Sequence, residues 1–293
     1  MMKIMVNGQL VEAGEAVVAA YDYGYMYGLG LFETFRTYRG RPFLLDEHLE
    51  RLNEGCAILG IPYTANPEEV REQIAVLLAA NGLEDASIRF SVSAGSHEVG
   101  LVSKLTSPPT IVIYVKRLSL MESWYQQGRP VQLLTTIRPT PETKIRLKSF
   151  QYMNGWLAKQ ELARYPWAHE AEGLQMNERQ MLTEGIVSNV FFIRGGTLCT
   201  PSLETGALPG ITRGLVLKLA ERAGLKTEEG LYRAEDLDDA DEIFLTNSVQ
   251  EIVPVSRICR VDGSECRLKA GAPGPITQQL MHLYREQTEA LTF

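Results

Sequence analysis

The run Leu182-Thr183-Glu184-Gly185-Ile186-Val187-Ser188-Asn189-Val190-Phe191-Phe192 decides how the chain is read. One carboxylate, Glu184, stands just before a strongly apolar stretch in which Ser188 and Asn189 are the polar exceptions. The stretch continues to Ile193, meets Gly195-Gly196, and resumes in residues 197–200, a pattern that predicts an antiparallel hairpin with a glycine turn. A carboxylate buried there needs a partner, and a protonated heterocyclic nitrogen is one. A turn residue at the mouth of a strand is the plainer reading of the same glutamate.

Working outward, helical spacing recurs on both sides of this hairpin. Leu49, Leu52, Cys56 and Leu59 predict a helix over 46–60 with Asp46 as its cap. Val70, Ile74, Leu77 and Leu78 predict a second over 68–80, stopped by Asn81-Gly82. Further helices are expected over 154–164, before Pro166, and over 211–223, closed by Gly224. Strands are expected at 87–93, 110–115, 131–137 and 242–246, and an opening hairpin turns at Asn7-Gly8. Residues 118–130 lose period, turn polar and end at Pro130, which predicts a linker. The fold class is therefore α+β: two mixed α/β domains, 1–117 and 131–293, joined by a short linker.

The composition excludes several classes of function. Of 293 residues 45% are apolar, and acids exceed bases to give a net charge of −7. An acidic chain lacks the basic footprint that nucleic acid or an anionic membrane requires. No signal peptide is visible in residues 1–11 and no apolar run reaches a membrane span, so a soluble, cytoplasmic protein is expected. Cys56, Cys199, Cys259 and Cys266 form no Cys-x-x-Cys pair, and the four histidines show no metal-ligand spacing. No metal site is expected, and the cysteines are read as buried, inert thiols.

Three other places offer chemistry. Gly28-x-Gly30 lacks the remainder of a dinucleotide fingerprint and is read as close packing beside a strand. Leu208-Pro209-Gly210-Ile211-Thr212-Arg213 opens an apolar-striped helix, where exposed N–H groups and the helix dipole favour an anion, although a simple cap would look the same. Lys148, amid Ile145, Leu147 and Phe150, is either a surface lysine at a strand edge or a desolvated, nucleophilic amine able to form a Schiff base.

Taken in order, residues 28–36, 46–52, 147–158, 183–192, 209–213 and 244–255 resemble the fold-type IV pyridoxal-phosphate enzymes. That family holds branched-chain and D-amino acid aminotransferases and 4-amino-4-deoxychorismate lyases. The resemblance implies the D-amino acid aminotransferase-like fold, with pyridoxal 5'-phosphate as cofactor in the C-terminal domain, a small-molecule substrate and a homodimer. It places Lys148 as the Schiff-base lysine and Glu184 on the pyridine nitrogen. Arg51, of the His-x-x-Arg pattern, falls on the phosphate, as do Ile211, Thr212, Asn247 and Ser248, while Ser188 and Asn189 line the cofactor. Thr34 falls where the lyases carry a threonine, a suggested proton donor, and branched-chain aminotransferases usually a glycine. The implied reaction is conversion of 4-amino-4-deoxychorismate to 4-aminobenzoate and pyruvate in folate biosynthesis, with a D-amino acid or branched-chain aminotransferase as the alternative. Phe32, Tyr152 and Arg89 are expected at the substrate, and Arg138 is a second candidate for its carboxylates. Relatives often carry an arginine before the glycine at 95, where this chain has Ala94.

Overall fold

A computed structural model describes residues 2–268 and 273–292. Its contacts divide the chain into two units. The first comprises residues 2–119, Leu147–Gln151 and 288–292; the second comprises Leu120–Arg146 and the described part of Tyr152–Gln287.

In the first unit, β1 (Lys3–Val6) and β2 (Gln9–Glu12) form the opening hairpin, with Asn7 and Gly8 both at positive φ as a tight two-residue turn demands. There follow α1 (Tyr23–Tyr27), β3 (Gly30–Tyr38), β4 (Arg41–Pro42), α2 (Leu45–Leu59), α3 (Pro67–Asn81), β5 (Ala86–Ser93) and β6 (Thr110–Arg117). The strands make a six-stranded antiparallel sheet in the order β2-β1-β6-β5-β3-β4. Leu49, Leu52 and Cys56 of α2 and Val70, Ile74, Leu77 and Leu78 of α3 cover one face of it, packing on Leu31, Phe35, Ile88 and Phe90. Asn66 caps α3 as an acceptor for the N–H groups of Glu68 and Glu69. Asp46, expected as the cap of α2, instead lies inside its first turn; Leu44 occupies the cap position with no side-chain bond, and Asp46 acts on the dipole.

The second unit contains α4 (Glu122–Gln127), β7 (Arg129–Leu133), α5 (Met153–Leu162), β8 (Glu172–Met176), β9 (Leu182–Gly185), β10 (Asn189–Arg194), β11 (Thr197–Pro201), α6 (Ile211–Arg222), β12 (Lys226–Gly230), β13 (Glu242–Asn247), β14 (Glu251–Cys259), β15 (Glu265–Arg267) and the main part of α7 (Pro275–Glu289). Its nine-stranded sheet runs β12-β11-β10-β13-β14-β7-β8-β9, with β15 paired to β14. The expected hairpin at the glycine pair is β10–β11. Val190, Phe192, Ile243, Leu245, Val253 and Val255 form the core on one face of the sheet.

Several boundaries differ from the sequence reading for identifiable reasons. The stretch 118–130 contains the short helix α4, and β7 begins at Arg129, whose side chain is buried because it donates to the carbonyls of Glu170 and Ala171 and pairs with Glu172. Glu184 does not precede the apolar strand as a turn residue but lies in its own short strand, β9, paired with β8. The segment Leu147–Gln151 groups with the first unit because its backbone is bonded to β3. Cys56, Cys199 and Cys259 are buried, whereas Cys266 on β15 is partly exposed. No described helix is long and apolar enough to cross a membrane.

Candidate functional site

The first unit brings Lys148 onto β3. Phe32 donates its backbone N–H to the carbonyl of Lys148 (2.9 Å), Phe150 donates to that of Gly30 (2.9 Å), and Leu31 and Ser149 form an antiparallel bridge. Gly30 is required here, since a Cβ on it would meet the ring of Phe150. Lys148 Nζ lies 4.9 Å from the centroid of the Phe32 ring, and the guanidinium carbon of Arg89 lies 3.7 Å from the same centroid. The quadrupole of a single aromatic ring thus faces two cations. Register places Thr34 opposite Arg89 and Phe32 opposite Ser91, so these four side chains share one face of the sheet. Arg89 Nε donates to Ser91 Oγ over 3.3 Å. Phe32, Thr34 and Arg89 therefore share one face of the sheet, with Lys148 over the Phe32 ring.

The intervening residue of β3, Glu33, points the opposite way and is fully buried. Arg51 donates to both of its oxygens, from Nε to Oε1 at 2.8 Å and from NH2 to Oε2 at 2.6 Å, and His48 Nδ1 stands 2.6 Å from Oε2. His48 and Arg51 are three apart on α2 and so present to the same strand residue. Burial on its own would raise the Glu33 carboxyl, but the charge of Arg51 and the bond from His48 outweigh it and hold the group at about 2. Burial lowers His48, so the neutral imidazole donates its Nδ1–H to the carboxylate. Sequence reasoning named Arg51 but passed over Glu33 and His48. Both lie inside the quoted runs, but no local pattern sets the i, i+3 pair of α2 against a carboxylate on β3.

In the second unit, Glu184 is 4% exposed and ringed by donors. Oε1 accepts from Arg138 Nε (2.8 Å) and lies 3.9 Å from Arg146 Nε; Oε2 accepts from the N–H of Leu208 (2.9 Å) and from Asn189 Nδ2 (3.4 Å). Arg138 is steadied by Asn154 Oδ1, which also accepts from Gln175. Arg138 is thus a partner of Glu184. Asn189 also donates to Leu208 O at 2.9 Å, and its Oδ1 fills the space that a Cβ on Gly210 would occupy.

Gly210 is the N-cap of α6 and provides no side-chain acceptor to the first turn. Thr212, buried, has its hydroxyl 3.3 Å from that of Ser248, beyond the end of β13. Asn247 accepts from the N–H groups of Val249 and Gln250 and so fixes the turn that carries Ser248. The hydroxyl of Ser188 is turned inward, donating to Glu172 Oε1, so this residue supports the β9–β10 connection. Tyr152 is at the N-cap of α5 and 45% exposed. The second unit therefore offers a buried carboxylate for a cationic nitrogen and a helix N-terminus with two hydroxyls for an anion, a donor set that fits a phosphorylated pyridine.

The family model described as amino-transferase class IV matches residues 30–258. The chain is 39% identical over 291 residues to the aminodeoxychorismate lyase of Bacillus subtilis, covering 97% of this chain and 94% of that protein. It is 32% identical to the D-alanine aminotransferase of Bacillus licheniformis over 95% of this chain and 94% of that one. Among solved structures, the 4-amino-4-deoxychorismate lyase of Pseudomonas aeruginosa superposes with a TM-score of 0.82 at 29% identity, covering 97% of this chain and 98% of that one. The branched-chain amino acid aminotransferase of Thermobaculum terrenum, solved in its pyridoxal-phosphate form, gives 0.82 at 28% identity over 99% and 94%.

Proposed function

The chain belongs to the amino-transferase class IV family, the pyridoxal-phosphate enzymes of fold type IV, and from that premise we propose that it is a lyase converting 4-amino-4-deoxychorismate to 4-aminobenzoate and pyruvate for folate biosynthesis. The observation that carries this reading is Thr34, whose side chain shares a face of β3 and β5 with Phe32 and Arg89, beside Lys148. A hydroxyl on the face that carries Phe32 would supply a proton donor to a substrate held at Lys148. The 39% identity to a lyase along nearly the whole chain supports it.

The cofactor, when bound, supplies an electron sink conjugated to the amine-bearing carbon of the substrate. Lys148 Nζ would hold it and, once displaced by the substrate amine, take the proton from that carbon. Glu184, fixed by Arg138 and Leu208, would accept the N–H of the pyridine ring. Arg51, held by Glu33, would engage the phosphate, as would Thr212, Ser248 and the start of α6. Thr34 Oγ1 would give a proton to the departing enolpyruvyl group as the carbon–oxygen bond breaks and the ring aromatises. Arg89 is the cation assigned to a substrate carboxylate. The active assembly is taken as a homodimer in the cytoplasm.

The test is to incubate the holoenzyme with aminodeoxychorismate and no keto acid. Pyruvate and 4-aminobenzoate are expected in equal amounts. Absence of both, with transfer of an amino group from D-alanine or a branched-chain amino acid to 2-oxoglutarate, would replace the lyase with the aminotransferase.

A further inference from the structure

Thr246, on β13, is 1% exposed, and its hydroxyl has no hydrogen-bond partner among the described residues. A buried hydroxyl left unpaired is unfavourable by about 1–3 kcal/mol, and a valine would fill the same space without that penalty. The position is therefore wrong for a purely structural threonine.

Its surroundings indicate what is missing. Thr246 stands directly opposite Asn189 in the β10–β13 ladder, so both side chains project from the same face of the sheet. That asparagine bridges Leu208 O and Glu184 and packs against Gly210, the uncapped start of α6. Two residues along the chain, Ser248 meets Thr212 in the first turn of α6. The polar groups that register and chain order bring to this side of the sheet are the Asn189 amide, the Ser248 and Thr212 hydroxyls and the N–H groups at the start of α6, most of which donate. An acceptor-rich anion is the ligand that satisfies them together.

We propose that Thr246 is a further cofactor-binding residue, its hydroxyl donating to the phosphate of the bound cofactor alongside Thr212 and Ser248. This rests on the reading of the α6 start as the phosphate seat, and it extends that seat onto a strand residue to which the resemblance gave no role.

The experiment compares wild type, Thr246→Val and Thr246→Ser. Apoprotein of each is titrated with pyridoxal 5'-phosphate and with pyridoxal, followed by absorbance, and its melting temperature is measured. Thr246→Val should bind pyridoxal phosphate about 10-fold or more weakly, bind pyridoxal as wild type does, and melt no lower than wild type. Thr246→Ser should keep wild-type affinity. Unchanged phosphate-form affinity in Thr246→Val overturns the proposal alone. Weakened binding with a matching fall in apoprotein melting temperature overturns it in favour of a structural hydroxyl. A wild-type apoprotein that binds pyridoxal and pyridoxal phosphate equally overturns the phosphate seat itself, and the proposal with it.

Discussion

Arg138 donates its Nε–H to Oε1 of Glu184 across 2.8 Å, and Asn154 holds the same guanidinium through NH1 at 3.2 Å. The carboxylate is 4% exposed, so its charge is stabilised by these fixed donors rather than by water. The arginine thereby prepares Glu184 as an acceptor before any ligand arrives.

Removing that arginine should therefore be costly to the fold. Arg138→Leu leaves a buried carboxylate short of its main partner and should lower stability by about 3 kcal/mol, measured by calorimetry on the apoprotein. An arginine serving only a substrate carboxylate would leave the melting temperature unchanged and raise KM instead.

Gly30→Ala should disturb the reactive lysine without touching it. The added Cβ would meet the Phe150 ring, and Phe150 is bonded through its N–H to the carbonyl of residue 30. Overpacking of this kind costs about 1–3 kcal/mol. The loss of turnover should exceed what that stability loss explains, because Lys148 shares the displaced backbone. Parallel measurement of melting temperature and pyruvate release separates the two.

Lys148→Ala should abolish both the yellow chromophore and pyruvate release. Thr34→Val should keep the chromophore but lower kcat by about 100-fold, the scale of one positioned proton donor. Equal kcat for Thr34→Val and wild type would remove Thr34 from the chemistry.

Acid sensitivity should come from buried carboxylates in both units. Glu33 is held at about 2 despite burial, chiefly by Arg51 and His48. Glu161 is held at about 2, against the upward pull of burial, by the hydroxyls and N–H groups of Thr135 and Thr136 and by Tyr165. Both lie below the ordinary 4.5, so the unfolded chain binds these protons first. The stability they contribute is complete above pH 4.5 and lost as pH falls toward 2, on the order of 3 kcal/mol for Glu33. His48, lowered by burial, adds a loss that begins as pH drops below 6.5. Urea midpoints between pH 7 and 3 should fall accordingly, and Glu161→Gln should flatten the acid limb.

The legible parts of the sequence were those with a local period or cap. α2 and α3 follow from apolar spacing with Gly60 and Gly82 in the left-handed conformation just after them, and β10–β11 from its glycine turn. Glu184 and Lys148 were each open to a bland reading, and only their order along the chain with the other motifs tied them to a chemistry. Glu33 was invisible because a carboxylate alternating along a strand has the pattern of a solvent-facing residue; only the donors of α2, distant in sequence, reveal it as buried. The grouping of Leu147–Gln151 with β3 rests on two backbone bonds and one bridge, which leave no periodicity to read. Thr246 looks like any β-branched strand residue until its hydroxyl is seen to lack a partner among the described residues.

Strand β3 divides its labour by parity. Phe32 and Thr34 face Lys148 and Arg89, whereas Glu33 faces the α2 arginine. Inserting or deleting one residue would exchange the two sets and disable both together. Substitution, by contrast, acts on one set at a time: a change at Phe32 or Thr34 alters the face toward Lys148 and Arg89 while Glu33 stays locked by its ion pair. Diversification of substrate choice along this strand is thus confined to every second residue, a narrow track on which new reactions can arise without loosening the grip beneath.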